Sequence, residues 1–260
     1  MTANLTAAAE DPHAPVLRVR SVVMRFGGLL ALDGIDLDVV QGERLAILGP
    51  NGAGKTTLFN VIAGDLRPTQ GSVAIKGVDC TLLPSRHRPR LGVARTYQKA
   101  RSFPGLTVGD NLYLAVVGKR GRHRSLLRTA TDRSWRDRAV EAAEAVWLGR
   151  QLDTLVGALS HGQKRQLELG MAVVTDPDVM LLDEPASGLS RGERERLTEL
   201  LDELAVNATL LLIEHDMDVA FAVARRVVVM FDGTTIASGT PEEVQHNPLV
   251  HEIYLGTGAA

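Results

Sequence analysis

The stretch "RLAILGPNGAGKTTLFNVIAG", residues 44–64, limits what this chain can fold into more than any other part of it. A short apolar run leads into a glycine-rich loop, and a segment with helical spacing leaves it and stops at Gly64. That order is strand, loop, helix. Residues 49–56 fit the pattern G-x-x-x-x-G-K-[ST]. A phosphate needs several backbone N–H groups converging at short range, and glycines let the backbone come that close. The helix N-terminus adds its dipole. Gly49, Pro50, Asn51, Gly52, Ala53, Gly54, Lys55, Thr56 and Thr57 are therefore the expected phosphate cradle. Lys55 is expected to reach the terminal phosphates, and the Thr56 hydroxyl to ligate magnesium.

The remaining patterns build an α/β sheet around that unit. "VMLL", "TLLLI" and "RVVVM" are short, continuously apolar runs, as in strands buried on both faces of a mostly parallel sheet. "VLRVR" and "IDLDVV" alternate apolar and charged residues, as half-buried antiparallel strands do. Asp232-Gly233 predicts a hairpin joining "RVVVMF" to "TTIAS". Leu197, Leu200, Leu201 and Leu204 form one helical stripe, and Thr240 with Pro241 predicts an N-cap and first helical residue. From 91 to 173 the period is helical without strand signals, with Val140, Ala143 and Trp147 sharing a face. The predicted organisation is a loose tail at 1–15 and one domain at 16–260. Its α/β core comprises 16–90 and 174–260, and its inserted helical unit 91–173.

Composition narrows the setting. The longest apolar runs are strand-sized, well below the roughly 18–20 residues of a membrane span. The first fifteen residues lack a basic start followed by an apolar block, so they do not read as a signal peptide. Cys80 is the lone cysteine and fits a reducing cytoplasm. Charge is uneven: residues 86–138 carry fourteen Lys/Arg against three Asp, a net +11, and the remainder carries 15 basic against 28 acidic residues, a net −13. Such a segment suits nucleic acid, lipid headgroups or simply a solvated helical face.

Two further motifs carry chemistry. In "VMLLDEP", Asp183 ends a buried strand and can hold a magnesium shell, while Glu184 is placed to polarise a water as general base. In "LSHGQKRQLELG", Ser160 and Gln163 have the spacing of a capping box. A helix start with a hydroxyl, a glycine and no acidic group is also an anion site. In one subunit it lies at the far end of the helical unit, and a head-to-tail pair would bring it onto the partner's nucleotide.

With these residues in order, the chain resembles an ABC ATPase, the ATP-binding subunit of an ABC transporter. "LSHGQ" is similar to the signature usually written LSGGQ, with His161 where that pattern has a glycine. The resemblance implies a P-loop, RecA-like α/β core with an N-terminal antiparallel β subdomain and a helical signature subdomain. It also implies two subunits, the same or related chains, sandwiching ATP and Mg2+. Ser160, Gly162 and Gln163 would face the γ-phosphate held by the other subunit. Phe26 matches the aromatic that stacks on adenine, Gln98 the glutamine linking magnesium to the helical unit, and His215 the switch histidine. Ser190 stands where the family usually has an aspartate.

"LLIEHDM", "GTPEEVQHNPLVHEIYLG" and "RTYQKARSFPGLTVGDNL" resemble branched-chain amino-acid importer subunits, and "LSHGQKRQLELGM" is similar to their urea-importer members. This resemblance implies ATP hydrolysis beneath a membrane permease, on its cytoplasmic face, with a solute-binding protein involved indirectly. A lipid-exporter ATPase is the alternative, with a nucleic-acid-linked ATPase after it. The latter typically has a long coiled coil before the signature; none is seen, and no nucleic-acid partner is expected.

Overall fold

The computed structural model describes residues 14–96, 102–120, 130–204 and 209–256. The chain opens with two long antiparallel strands, β1 (Pro15–Phe26) and β2 (Leu29–Val40). Strand β3 (Arg44–Leu48) runs into the glycine-rich loop and helix α1 (Lys55–Ile62). Strands β4 (Gln70–Ile75) and β5 (Val78–Asp79) then complete a four-stranded sheet in the order β2-β1-β4-β5. Strand β6 (Val93–Arg95) precedes three helices: α2 (Val108–Arg120), α3 (Ala130–Ala145) and α4 (His161–Val173). The chain continues through β7 (Val179–Asp183), α5 (Arg191–Leu204), β8 (Thr209–Ile213) and α6 (Met217–Val223). It closes with β9 (Arg226–Phe231), β10 (Thr234–Gly239), α7 (Pro241–Gln245) and α8 (Pro248–Gly256).

The second sheet has six strands in the order β10-β9-β3-β8-β7-β6, and every pairing except the β9–β10 hairpin is parallel. Successive side chains of a strand point to opposite faces, and both faces here are covered. Leu45, Ile47, Val179, Leu181, Leu211 and Ile213 enter one core with α1 and the antiparallel sheet. Ala46, Leu48, Met180, Leu182, Leu210 and Leu212 enter the other, with the helices. Two-sided burial explains why these strands read as unbroken apolar runs. The hairpin turn has φ +47 at Asp232 and +76 at Gly233, as the expected two-residue turn requires. Among the described residues no helix is long and apolar enough to cross a membrane.

Two expectations differ from the structure. The stretch read as helical from residue 91 begins with strand β6, which pairs in parallel with β7 at the sheet edge. Three residues are too short to show a period, and basic neighbours hide them. In α3, the buried stripe is Trp135, Ala139, Ala142 and Ala143, continuing to Val146, whereas Val140 and Trp147 are exposed. The helix ends at Ala145, and Trp147 takes φ +59, which removes it from helical phase. Its indole N–H instead donates to Glu203 of α5 at 3.1 Å.

The basic segment also divides. Arg88 is buried and donates to the carbonyls of Ile62 (2.8 Å) and Cys80 (2.6 Å). Arg95 is likewise internal, whereas Arg86, Arg90, Arg133 and Arg136 are exposed. Lys99, Arg101, Arg122, Arg124 and Arg128 lie outside the described residues.

On α5, Leu197, Leu200 and Leu201 are buried and Leu204 only partly so. Leu200→Ala should lower unfolding free energy by about 2–5 kcal/mol in urea titrations. Leu204→Ala should cost less than half as much; equal costs would contradict the packing described.

Candidate active site

Parallel pairing sets the ends of four strands side by side. Ile47 of β3 is level with Ile213 of β8, Ile213 with Asp183 of β7, and Leu181 with Arg95 of β6. Each strand then releases one motif at the same edge, where ligands of open α/β sheets bind. β3 releases the glycine-rich loop, β7 carries Asp183-Glu184, β8 leads to Glu214-His215, and β6 brings Arg95. Gln98 lies outside the described residues.

Gly54 is the N-cap of α1 at φ +97, and a Cβ there would meet the Ala31 carbonyl at 2.5 Å. Gly52, at φ +86, has open space where a Cβ would be, so the middle of the loop is free to accept a ligand. Lys55 is buried, and its ammonium donates to the carbonyls of Gly49 (2.6 Å) and Pro50 (2.9 Å). Burial lowers its pKa, and the charges of Glu184 and Asp183 partly offset that. Thr56 is exposed on the first turn of α1.

Asp183 is 2% exposed. Its Oδ2 accepts from Arg95 at 2.9 Å, and Arg95 also donates to Asn60 of α1 (2.7 Å) and to Asp65 (3.1 Å). Asp183 Oδ1 is buried without a hydrogen-bond partner among the described residues. A hard divalent cation would satisfy such an oxygen. Together with Lys55 and the open face at Gly52, the donor set fits a nucleotide phosphate and Mg2+.

Glu184 takes φ +47, a left-handed conformation costing about 1–3 kcal/mol in a non-glycine residue. Its N–H donates to Ile213 O at 2.9 Å, tying it to β8. His215 Nδ1 lies 3.9 Å from Glu184 Oε2. Between strand and histidine sits Glu214, fully buried, accepting from the N–H groups of Ala186 (2.8 Å) and His215 (3.3 Å). Burial raises its pKa against these hydrogen bonds and the His215 charge.

Phe26 is exposed at the tip of the β1–β2 hairpin, near the strand whose Ala31 abuts the loop, so it is no core aromatic. The signature helix α4 starts with the expected capping box: Ser160 Oγ accepts from Gln163 N (3.2 Å), and Gln163 Oε1 from Ser160 N (2.9 Å). Neither bond reaches the glycine-rich loop. A Cβ on Gly162 would come within 2.8 Å of Glu193 Oε1. Ser190 donates from its N–H (2.9 Å) and hydroxyl (2.7 Å) to Glu193, chiefly through which the carboxyl is held below its ordinary pKa.

Sequence reasoning missed Arg95, Arg165 and Glu214. Arg165 could have been found, because it stands on the apolar stripe of α4 at helical spacing from Leu169 and Ala172. Glu214 could have been found as a charge directly after "TLLLI".

The ABC transporter family matches residues 32–187, more than half of the chain. The chain belongs to that family. As an ABC cassette it binds ATP, and ATP hydrolysis is the activity of such subunits. Residues 234–260 match a second description, branched-chain amino acid ATP-binding cassette transporter. Curated relatives include the high-affinity branched-chain amino acid transport ATP-binding proteins LivG of Escherichia coli and BraF of Pseudomonas aeruginosa. LivG is 40% identical over 251 residues, with 93% of this chain and 98% of LivG covered. BraF is 39% identical over 254 residues, with 93% and 98% covered. The ABC cassette MJ1267 in its ADP conformation superposes with a TM-score of 0.80 at 31% identity, over 93% of this chain and 99% of that one. These likenesses bear out the expected α/β core with its antiparallel sheet and helices.

Because Glu214 binds its proton more tightly folded than unfolded, its contribution to stability is full at low pH. That contribution is lost as pH rises through the raised folded value. Glu214→Gln should therefore flatten the fall of stability with pH above the ordinary glutamate range. Urea midpoints between acidic and neutral pH check this; an unchanged slope would contradict it.

Proposed function

We propose that this cassette powers uptake of branched-chain amino acids, working as a head-to-tail dimer beneath a membrane permease on the cytoplasmic face. The names of its relatives and the match at residues 234–260 favour that solute class over urea and over a lipid exporter. The supporting observation is the sheet edge itself, where Lys55, Glu184 and an Asp183 oxygen without a hydrogen-bond partner among the described residues converge, while the Ser160 helix start is closed by its own capping box.

In this reading Phe26 stacks on the adenine, and residues 49–57 hold the phosphates. Thr56, Asp183 and Gln98 would hold Mg2+, which when bound neutralises charge on the phosphoryl group being transferred. Glu184 accepts a proton from the attacking water. Lys55 and His215 stabilise the charge developing on the γ-phosphoryl oxygens. Ser160, Gly162 and Gln163 complete the site of the partner subunit, because a capped helix start supplies backbone donors to an anion. Loss of the γ-phosphate removes the group both subunits share, and the dimer loosens. The solute is selected by the permease and its binding protein.

Glu184→Gln should retain ATP binding and accumulate an ATP-bound dimer while hydrolysis falls at least 100-fold, of the order general-base removal produces. Gel filtration with ATP and a phosphate-release assay read both effects; turnover at the parent rate would remove the assignment. Ser160→Arg should leave nucleotide affinity of the isolated subunit within about threefold yet stop hydrolysis, since only the partner's site is blocked. In the purified membrane assembly, leucine or valine presented on its binding protein should stimulate hydrolysis where urea does not.

A further inference from the structure

Arg165 is buried on α4, and its Nε and Nη2 are directed at one short stretch of backbone. Its Nε donates to Pro185 O at 2.8 Å, and its Nη2 to Glu184 O at 2.6 Å and Asp183 O at 3.1 Å. Nη1 meets Glu168 at 2.6 Å, and both side chains of that pair are about a tenth exposed. Three consecutive carbonyls converge on one group because the chain curls at Glu184, at φ +47. The curl is unfavourable twice over: Glu184 is not glycine, and it precedes a proline, a position biased to extended backbone. Pro185 has no N–H to donate, and the backbone bond across it, Ser187 N–H to Glu184 O at 3.1 Å, leaves the Asp183 and Pro185 carbonyls to Arg165. The planar fork of an arginine can take all three carbonyls at once.

We propose that Arg165 is the positioning residue for Glu184, holding the curled turn that aims its carboxylate at the sheet edge shared with Lys55 and His215. Glu168 in turn fixes the guanidinium. The proposal rests on the reading of Glu184 as general base. Without the fork the turn relaxes toward extended backbone, and the carboxylate leaves its place while the phosphate loop, on a different strand, is undisturbed. A tether that merely packed α4 on the sheet would lower stability without separating these effects.

The test uses the full chain. Arg165→Ala should lower kcat for ATP by about 10- to 100-fold, the scale of an ångström-sized misplacement of a reacting group, with KM changed less than about threefold. Guanidinium at millimolar concentration should restore part of the lost rate. Arg165→Lys, able to reach fewer carbonyls, should fall between. Independently of turnover, the Glu184 amide, bonded to Ile213 O, should lose hydrogen-exchange protection by about tenfold or more in Arg165→Ala, while amides within β3 and β8 keep theirs. Unchanged kcat with unchanged Glu184 exchange would overturn the proposal. So would a loss of protection spread evenly over the sheet, without guanidinium rescue. Glu184→Gln separates the two readings. If that variant hydrolyses ATP normally the base assignment fails, and if it is inactive while Arg165→Ala behaves as the parent, only the positioning role fails.

Discussion

Parallel register between β3, β8, β7 and β6 is the constraint on which the site depends. Each pairing is fixed by side chains buried on both faces, so a one-residue slip would exchange the two cores and is heavily penalised. With register locked, the residues just beyond Leu48, Ile213 and Asp183 become neighbours although they lie far apart in the chain. Hydrophobic burial thereby places the polar chemistry, and no polar contact has to assemble the site unaided.

Charges at that edge are held in mutual register. Arg95 joins α1 to Asp183, Arg165 joins α4 to the turn at Glu184, and Glu214 joins the turn to His215. Buried charges persist only when paired or hydrogen-bonded, and here each bond also fixes a motif residue. Among the described residues the exception is Asp183 Oδ1, buried without a hydrogen-bond partner, and in the proposed reading it is this atom that would face the cation. The left-handed Glu184 is the matching exception in the backbone.

The helical unit connects to this edge at its own start. α4 carries the capped Ser160–Gln163 turn at one end and Arg165 one turn further on, gripping the Asp183–Pro185 carbonyls. In the dimeric reading, the helix that offers donors to the partner's nucleotide is the same helix that steadies the base for its own. Ser190 has no carboxylate to offer across such a junction, and its hydroxyl is engaged with Glu193.

Much of this was legible beforehand, because the signals were local. The glycine loop, the Asp232-Gly233 hairpin, the Ser160 and Thr240 caps and the apolar strands each follow from periods or turn chemistry within a few residues. Lys55, Asp183 and Glu184 could be named from motifs in the same way, whereas Phe26 and His215 could be named only through the resemblance to the family. Strand β6, the true face of α3 and the partners of Arg95, Arg165 and Glu214 could not. Each depends on which residue a distant segment presents, and a single sequence carries no distances. The sequence alone determined the local elements and the chemical kinds at the site. Tertiary structure decided their adjacency, because only two-sided burial of the parallel strands sets the register that brings them to one edge.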